Sequence, residues 1–118
     1  MSPAELLDLL YKEADKNLKL AELALNDKEY DSFDKALTKT TQIVRYLNTI
    51  LDTKYPLAAN LRNIYNYLIY DLSRVKAGRE RRQEEIGRMI HILGELREGF
   101  SEAANNLNKT HSYRDQGV

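Results

Sequence analysis

Apolar residues recur every three or four positions in four successive segments that fill most of the 118-residue chain. This spacing places the apolar side chains on one side of an α-helix, and that side must be buried against another element. Short connections between long helices make each helix run antiparallel to the one before it. The sequence therefore predicts an all-α fold, an antiparallel up-down-up-down four-helix bundle with helices roughly 30–35 Å long.

Capping residues set the predicted limits of the first helix. Ser2 is suited to be the N-cap, Pro3 to occupy the first helical position, and Glu5 to complete a capping box. The pair Asn26-Asp27 ends the apolar stripe. Helix 1 is therefore predicted to begin directly after Ser2.

The limits of the next two helices follow from acidic residues, proline and glycine. Asp27 or Asp31 is the predicted N-cap of helix 2. Pro56 forces the residue before it out of helical geometry, so we expect a break there and Pro56 as the first position of helix 3. Gly78 is the predicted C-terminal cap of helix 3, because many helices end at a glycine in the left-handed conformation.

One domain accounts for these segments. Helix 4 is predicted over about residues 80–105, and polar residues dominate the sequence after it. A chain of this size buries about two-thirds of its unfolded surface, which is enough for one hydrophobic core. We expect a bundle domain over residues 1–105 and a flexible C-terminal tail over residues 106–118.

Each helix contributes one stripe of apolar residues, with a single threonine, to the predicted core. The members are Leu7, Leu10, Ala14, Leu18, Ala21 and Leu25 in helix 1, Phe33, Leu37, Thr40, Val44, Leu47 and Leu51 in helix 2, Leu61, Tyr65, Leu68, Leu72 and Val75 in helix 3, and Ile86, Met89, Leu93, Leu96, Phe100 and Ala103 in helix 4.

Composition argues against several classes of partner and site. Eighteen basic and eighteen acidic residues cancel, so no overall field draws the chain to nucleic acid or to anionic lipid. Cysteine is absent, which excludes disulfides and thiolate zinc sites. No apolar run is long enough for a membrane span, and the N-terminus lacks the pattern of a signal peptide. We expect a cytoplasmic protein that inserts in no membrane.

No pattern typical of an enzyme or a cofactor site is found. A di-iron bundle needs Glu three residues before His, and neither His91 nor His111 has it. Phosphate-binding loops and nucleophile elbows are missing from the sequence. The basic run Lys76–Arg82 is compact and balanced by nearby glutamates, so we interpret it as a solvated turn and not as a nucleic-acid site. We expect no metal, no cofactor and no catalytic residue; a small helical enzyme would need carboxylates converging in a cavity.

Further apolar residues lie outside the core stripes, and the chain has eight tyrosines but no tryptophan. One interpretation is that wide stripes serve a core in which each helix touches two neighbours. The other is a surface groove that becomes dry when a partner binds, since tyrosine joins a large apolar face to a polar end. The extra residues are Leu6, Leu9, Leu20 and Leu23 in helix 1, Ala36, Ile43, Tyr46 and Ile50 in helix 2, and Ile64, Tyr67 and Tyr70 in helix 3.

Several short blocks, distributed over about residues 2–105, resemble one known family. The blocks are Leu9-Leu10-Tyr11, residues 21–27, Leu51-Asp52, Asn60-Leu61-Arg62-Asn63-Ile64-Tyr65-Asn66-Tyr67-Leu68, residues 93–100 and Ala103-Ala104. Together they resemble the flagellar export chaperone family FliS, and the block at residues 60–68 is the most specific. Phe100 stands where that family has tryptophan.

The resemblance implies a cytoplasmic chaperone that binds the C-terminal segment of flagellin and prevents its premature polymerisation. It also implies delivery to the flagellar type III export apparatus, with the export gate as a second partner. The alternative is a non-catalytic, self-associating helical bundle; a monomer or a weak homodimer fits the sequence. The second apolar rows and the family block give the candidate partner-binding residues Ile43, Tyr46, Leu47, Ile50, Leu61, Ile64, Tyr65, Tyr67 and Leu68.

Overall fold

The structure is a computed structural model that describes the backbone of residues 1–116 and the side chains of residues 1–107. Every regular element in this part of the chain is helical, so the prediction of an all-α fold is confirmed. None of the helices described is long and apolar enough to cross a membrane. The elements are α1 (Pro3–Asn26), α2 (Tyr30–Thr49), α3 (Ala58–Gly78), a 3₁₀ turn (Arg79–Arg82) and α4 (Gln83–Gln116).

The start and the end of α1 are as predicted. The Ser2 hydroxyl accepts a hydrogen bond from the Glu5 amide at 3.1 Å, and Pro3 occupies the first helical position. Because the proline ring already holds a helical φ and lacks an amide proton, the first turn forms without loss of a hydrogen bond. Asp27 follows the last residue of α1, as its C-cap.

The predicted cap of α2 is wrong. Neither Asp27 nor Asp31 caps this helix; Glu29 precedes it, and its side chain makes no capping hydrogen bond. The turn is closed by the backbone, since the Glu29 amide donates to the Ala24 carbonyl at 2.8 Å. Lys28 takes a positive φ of 57° to make this reversal. A tight backbone turn has therefore replaced the side-chain cap that the sequence suggested.

The prediction that Pro56 opens α3 is also wrong. The helix begins at Ala58, and Pro56 lies within a pair of consecutive turns. In these turns the Tyr55 amide donates to the Asp52 carbonyl, and the Ala58 amide donates to the Tyr55 carbonyl, each at 3.0 Å. The second of these bonds spans Pro56, so the chain is still turning where the sequence predicts a helix.

The C-terminal cap of α3 lies one residue later than predicted, at Arg79 instead of Gly78. Gly78 is the last residue of α3 with an ordinary φ of −84°, while Arg79 takes φ 54° and ψ −127°. The 3₁₀ turn then delays the start of α4 from the predicted residue 80 to Gln83. At its other end α4 continues to Gln116, past the predicted limit at residue 105. The flexibility of residues 106–118 stays a prediction.

The core lies along the line where the four apolar stripes meet. All predicted core residues are buried or half-buried except Ala103, which is exposed. Thr40 is polar but fully buried, and its hydroxyl is satisfied because it donates to the Ala36 carbonyl at 2.9 Å. Burial is incomplete at one end of the molecule, where Leu7, Leu10, Leu51, Leu96 and Phe100 are only half-buried.

Contacts between the helices fix their relative directions. α1 packs against α2 and α4, and α2 packs against α3. The Arg97 guanidinium donates to the Asp8 carboxylate at 2.7 Å near the start of α1, and the Gln83 amide donates to the Asn26 side chain at 2.8 Å near its end. Since α4 residues of higher number meet α1 residues of lower number, these two helices are antiparallel.

Candidate partner-binding groove

A concave space of about 810 Å³ opens at the incompletely buried end of the molecule. It lies between the start of α1, the end of α2, the loop 50–57, the start of α3 and the C-terminal half of α4. α2 stops at Thr49, whereas α4 runs on to Gln116. The small side chains of Ala103 and Ala104 on this stretch leave room. We call this space the end groove.

The walls of the end groove are mainly apolar. Leu7 of α1, Leu51 of the loop, Leu61 of α3, and Phe100 and Leu107 of α4 all line it. Such a concave apolar surface with a few polar groups is typical of a binding site for a partner's apolar side chains.

Two buried tyrosines contribute to the lining. The hydroxyls of Tyr11 and Tyr65 are 2.5 Å apart and form a hydrogen bond, and each residue is only 1% exposed. Burial raises the pKa of both phenols, so both stay neutral at physiological pH. The Tyr11 ring also stacks on Phe100, with ring centroids 5.9 Å apart. The pair therefore ties α1 to α3 and to α4 beneath the groove.

An ion pair stands at the edge of the groove. Asp8 accepts from Arg97 across the α1–α4 contact, and Lys12 lies 3.3 Å from the same carboxylate. The hydrogen bond from Arg97 is the main cause that lowers the pKa of Asp8. These side chains are partly exposed, so their mutual attraction is screened by water and salt.

The nine predicted partner-binding residues fall into three classes of burial. Leu47, Leu61, Tyr65 and Leu68 are buried, Ile43 and Ile64 are half-buried, and Tyr46, Ile50 and Tyr67 are exposed. The end groove brings together Leu47, Ile50, Leu61 and Tyr65.

The exposed rows of α2 and α3 do not face each other. Polar side chains bridge these two helices: the Asn48 amide donates to Asn66, and Lys76 donates to Thr38, each at 3.1 Å. At 100° per residue, Asn48 and Thr38 lie on one flank of the α2 core stripe. The three α2 members of the predicted set, Ile43, Tyr46 and Ile50, lie on the opposite flank.

The predicted partner-binding residues of α3 outside its core stripe also lie away from α2. Asn66 and Lys76 mark the flank that faces α2. Ile64 and Tyr67 lie on the other flank of the core stripe. The two rows therefore belong to different faces of the molecule, and a role for the nine residues in partner binding stays a prediction.

Sequence reasoning missed the contributions of α1, α4 and the loop to the groove. Tyr11 lies four residues after Leu7 and three before Ala14, so the spacing of the stripe could have identified it as a core residue. Phe100 was assigned to the core stripe, and Leu107 lies past the predicted end of helix 4 at residue 105, so neither was assigned to the groove.

Among the described residues, no group of three His, Cys, Asp or Glu side chains could hold a metal ion. His91 is exposed beside Glu95 at 3.0 Å, and the side chain of His111 is outside the described part of the chain. The buried carboxylate Asp71 lies in α3, away from the groove lining.

Comparison with known proteins gives one result. The sequence model of a family described as "Flagellar protein FliS" matches residues 1–107. The match covers α1, α2, α3 and every α4 residue that lines the end groove. A search of curated proteins gives no match to this chain.

Proposed function

This chain belongs to the FliS family of flagellar proteins, and from that premise we propose that its end groove binds the C-terminal segment of flagellin. The family is one of chaperones that serve flagellum assembly and type III secretion. Bound in this way, flagellin would be kept from polymerising before it reaches the export apparatus.

The observation that carries the proposal is the apolar groove of about 810 Å³ at one end of the molecule. A segment that is disordered before assembly and amphipathic when ordered has an apolar face that would otherwise self-associate. A groove lined by Leu51, Leu61, Phe100 and Leu107 offers that face the contacts by which amphipathic helices bind grooves. We interpret the four helices as an antiparallel up-down-up-down bundle that presents this groove.

Exposed apolar residues extend the groove along one side of the molecule. Ile50 lines the groove and is 37% exposed, and Tyr46 follows it one turn back along α2. A client longer than the groove would continue over this surface, which gives Tyr46 and Ile50 a role consistent with the sequence prediction.

The proposed cycle needs no catalytic step. The client must leave at the export gate, so binding through apolar contacts without a covalent bond suits reversible release. The site of action under this proposal is the cytoplasm, where flagellin is made, and the flagellar export gate is the second partner.

The test is calorimetric titration of the protein with a peptide of the flagellin C-terminal segment. Ile50→Asp places a charge in the groove wall and should weaken binding by more than about 1 kcal/mol, as loss of a central contact does. Leu23→Asp is the matched control, because Leu23 is 60% exposed on α1 and does not line the groove. Circular dichroism confirms that both variants are folded. Equal affinities for Ile50→Asp and the unchanged protein would remove the end groove from the proposal.

A further inference from the structure

The connection between α3 and α4 contains no loop residue. α3 ends at Gly78, the 3₁₀ turn occupies Arg79–Arg82, and α4 begins at Gln83. The reversal of the chain is concentrated at Arg79, with φ 54° and ψ −127°. Side chains with a Cβ rarely adopt this conformation, which glycine adopts readily. The reversal therefore strains the backbone at Arg79.

The sequence around this reversal favours a continuous helix. Residues 79–85 read Arg-Glu-Arg-Arg-Gln-Glu-Glu, all of them good helix formers. Gly78 is the only weak helix former at the junction, and it is placed one residue before the position that needs a positive φ. The residues thus favour a helix at the point where the folded chain reverses its direction.

A few contacts hold the reversal closed. The Arg79 guanidinium lies 4.1 Å from the centre of the Tyr30 ring, and the Tyr30 hydroxyl donates to Glu80. A Cβ on Gly78 would lie 2.8 Å from the Cγ and Cδ atoms of Arg82, so the Arg82 side chain would have to shift. Arg82 is in turn held at 2.9 Å by Glu85. The Tyr30–Glu80 contact is at the surface, where water competes with it, and the Arg82–Glu85 pair is half-buried.

We propose that the α3–α4 junction is a hinge that opens into one continuous helix, so that two copies of this chain exchange α4. Each α4 would then pack on α1 of the second copy and remake there the contacts that it makes within one chain. The exchange relieves the strain at Arg79 in both copies, and short strained hinges favour it for this reason. The partner is thus a second copy of the chain, and the interface is the α1–α4 contact.

The exchange would change the composition of the end groove. Phe100 and Leu107 line it from α4, whereas Leu7 and Leu61 line it from α1 and α3. In the exchanged dimer each groove would take its α4 wall from the second copy. This inference depends only on the hinge geometry and holds whatever the groove binds.

Three substitutions at the hinge test the proposal by light scattering over a range of concentrations. Gly78→Ala adds a clash with Arg82 to the closed form and favours the continuous helix, so the dimer dissociation constant should fall at least about tenfold. Arg79→Gly and Arg79→Ala both remove the contact with Tyr30, but only glycine relieves the strain. The glycine variant should therefore dimerise at least about tenfold more weakly than the alanine variant. Equal dissociation constants for these two variants would overturn the proposal, and this comparison stands even if Gly78→Ala does not fold.

A second experiment identifies the exchange itself. The chain has no cysteine, so Asp8→Cys and Arg97→Cys each introduce a single thiol on the two sides of the α1–α4 contact. The two single variants, each also carrying Gly78→Ala or Arg79→Ala, are mixed, incubated at high concentration and treated with a short bis-maleimide. Exchange predicts a covalent heterodimer that grows with incubation time. A dimer that never yields this product associates by another surface, and a chain that stays monomeric at all concentrations does not exchange; either result overturns the proposal.

Discussion

At the scale of single residues, the Tyr11–Tyr65 hydroxyl pair is a polar contact inside an otherwise apolar region. Each residue is 1% exposed, and among the described residues each hydroxyl has only the other as its hydrogen-bond partner. A buried polar group that loses its partner costs more than the hydrogen bond itself contributes. The two hydroxyls should therefore behave as one unit in mutational tests.

We predict that Tyr65→Phe lowers the free energy of unfolding by about 1 kcal/mol or more, because it leaves the Tyr11 hydroxyl unpaired. The double variant Tyr11→Phe, Tyr65→Phe should recover part of that loss, because no hydroxyl is then left without a partner. Urea unfolding of both single variants and the double variant measures this coupling. If the losses simply add, the two hydroxyls do not act as a unit.

Asp71 is the other polar group whose burial has a measurable consequence. It is 2% exposed in α3, and burial, followed by a hydrogen bond with Glu85, raises its pKa to about 6. The same hydrogen bond is the main cause that lowers the pKa of Glu85, while Arg82 pairs with Glu85 at 2.9 Å. Arg74 and Arg88 also face Asp71 and oppose the rise. As the pH falls, Asp71 therefore takes up a proton before Glu85 does.

The raised pKa of Asp71 sets the direction of a pH effect on stability. Protonated Asp71 stabilises the folded state fully below the unfolded pKa of 3.8, and this contribution is lost as pH rises through about 6. Glu85 has the opposite sign, since its lowered pKa favours the folded state above 4.5. Between pH 4.5 and about 6, where Glu85 is ionised in the unfolded and folded states, Asp71 sets the slope, and stability falls as the pH rises.

We predict that Asp71→Asn raises the free energy of unfolding at pH 7 by about 1 kcal/mol, because an amide donates to Glu85 without needing a proton from solution. The gain should shrink toward pH 4. Urea unfolding at several pH values measures it, with Asp31→Asn as the control, since Asp31 is exposed in the first turn of α2. A gain that is the same at pH 4 and pH 7 would show that Asp71 does not titrate in this range.

At the scale of helices, burial drops just beyond the end of α2, at the end groove. Phe33, Leu37 and Val44 are fully buried, whereas Leu51, just past the end of the helix, is half-buried at the groove. Removal of a buried leucine side chain costs the transfer of its methyl groups and the cavity that remains. A leucine beside an open groove leaves no closed cavity.

Leu37→Ala should therefore lower the free energy of unfolding by about 2–5 kcal/mol, and Leu51→Ala by clearly less. Chemical denaturation of the two variants gives the comparison. Equal losses would mean that the groove end is as tightly packed as the middle of the molecule.

The sequence predicted those features of the helices that depend on local chemistry. The spacing of apolar residues identified the buried stripes, and Ser2 and Pro3 located the start of α1. The sequence prediction was wrong where hydrogen bonds of the backbone turns set the helix limits. Backbone hydrogen bonds closed the turn before α2, and consecutive turns placed Pro56 ahead of the start of α3. Neither result can be read from residue preferences alone.

The candidate site was predictable only in part, for the same reason. Leu47, Ile50, Leu61 and Tyr65 were selected from the sequence and do line the end groove. The α4 residues that line the groove with them could not be identified from the sequence, because that requires the positions of the helix ends in the folded molecule. Tyr67 was selected with them because it is apolar and outside the core stripe, but it lies on another face of α3.

At the scale of the whole molecule, the chain is elongated because α4 outruns the other helices. Its principal dimensions are 61 × 25 × 22 Å, and α4 has 34 residues against 24 in α1. The end groove lies at the end of the molecule where α2 stops, between the start of α1 and the C-terminal half of α4. The groove therefore links the helix limits to the proposed function.

Amide chemical-shift mapping by NMR, with and without a peptide of the flagellin C-terminal segment, tests this link most directly. If the end groove is the binding site, the largest shifts will fall in the first turns of α1, in the loop 50–57 and around residues 100–107 of α4. Shifts confined to the outer face of α3, around Tyr67 and Tyr70, would contradict the account, because that surface is separate from the groove.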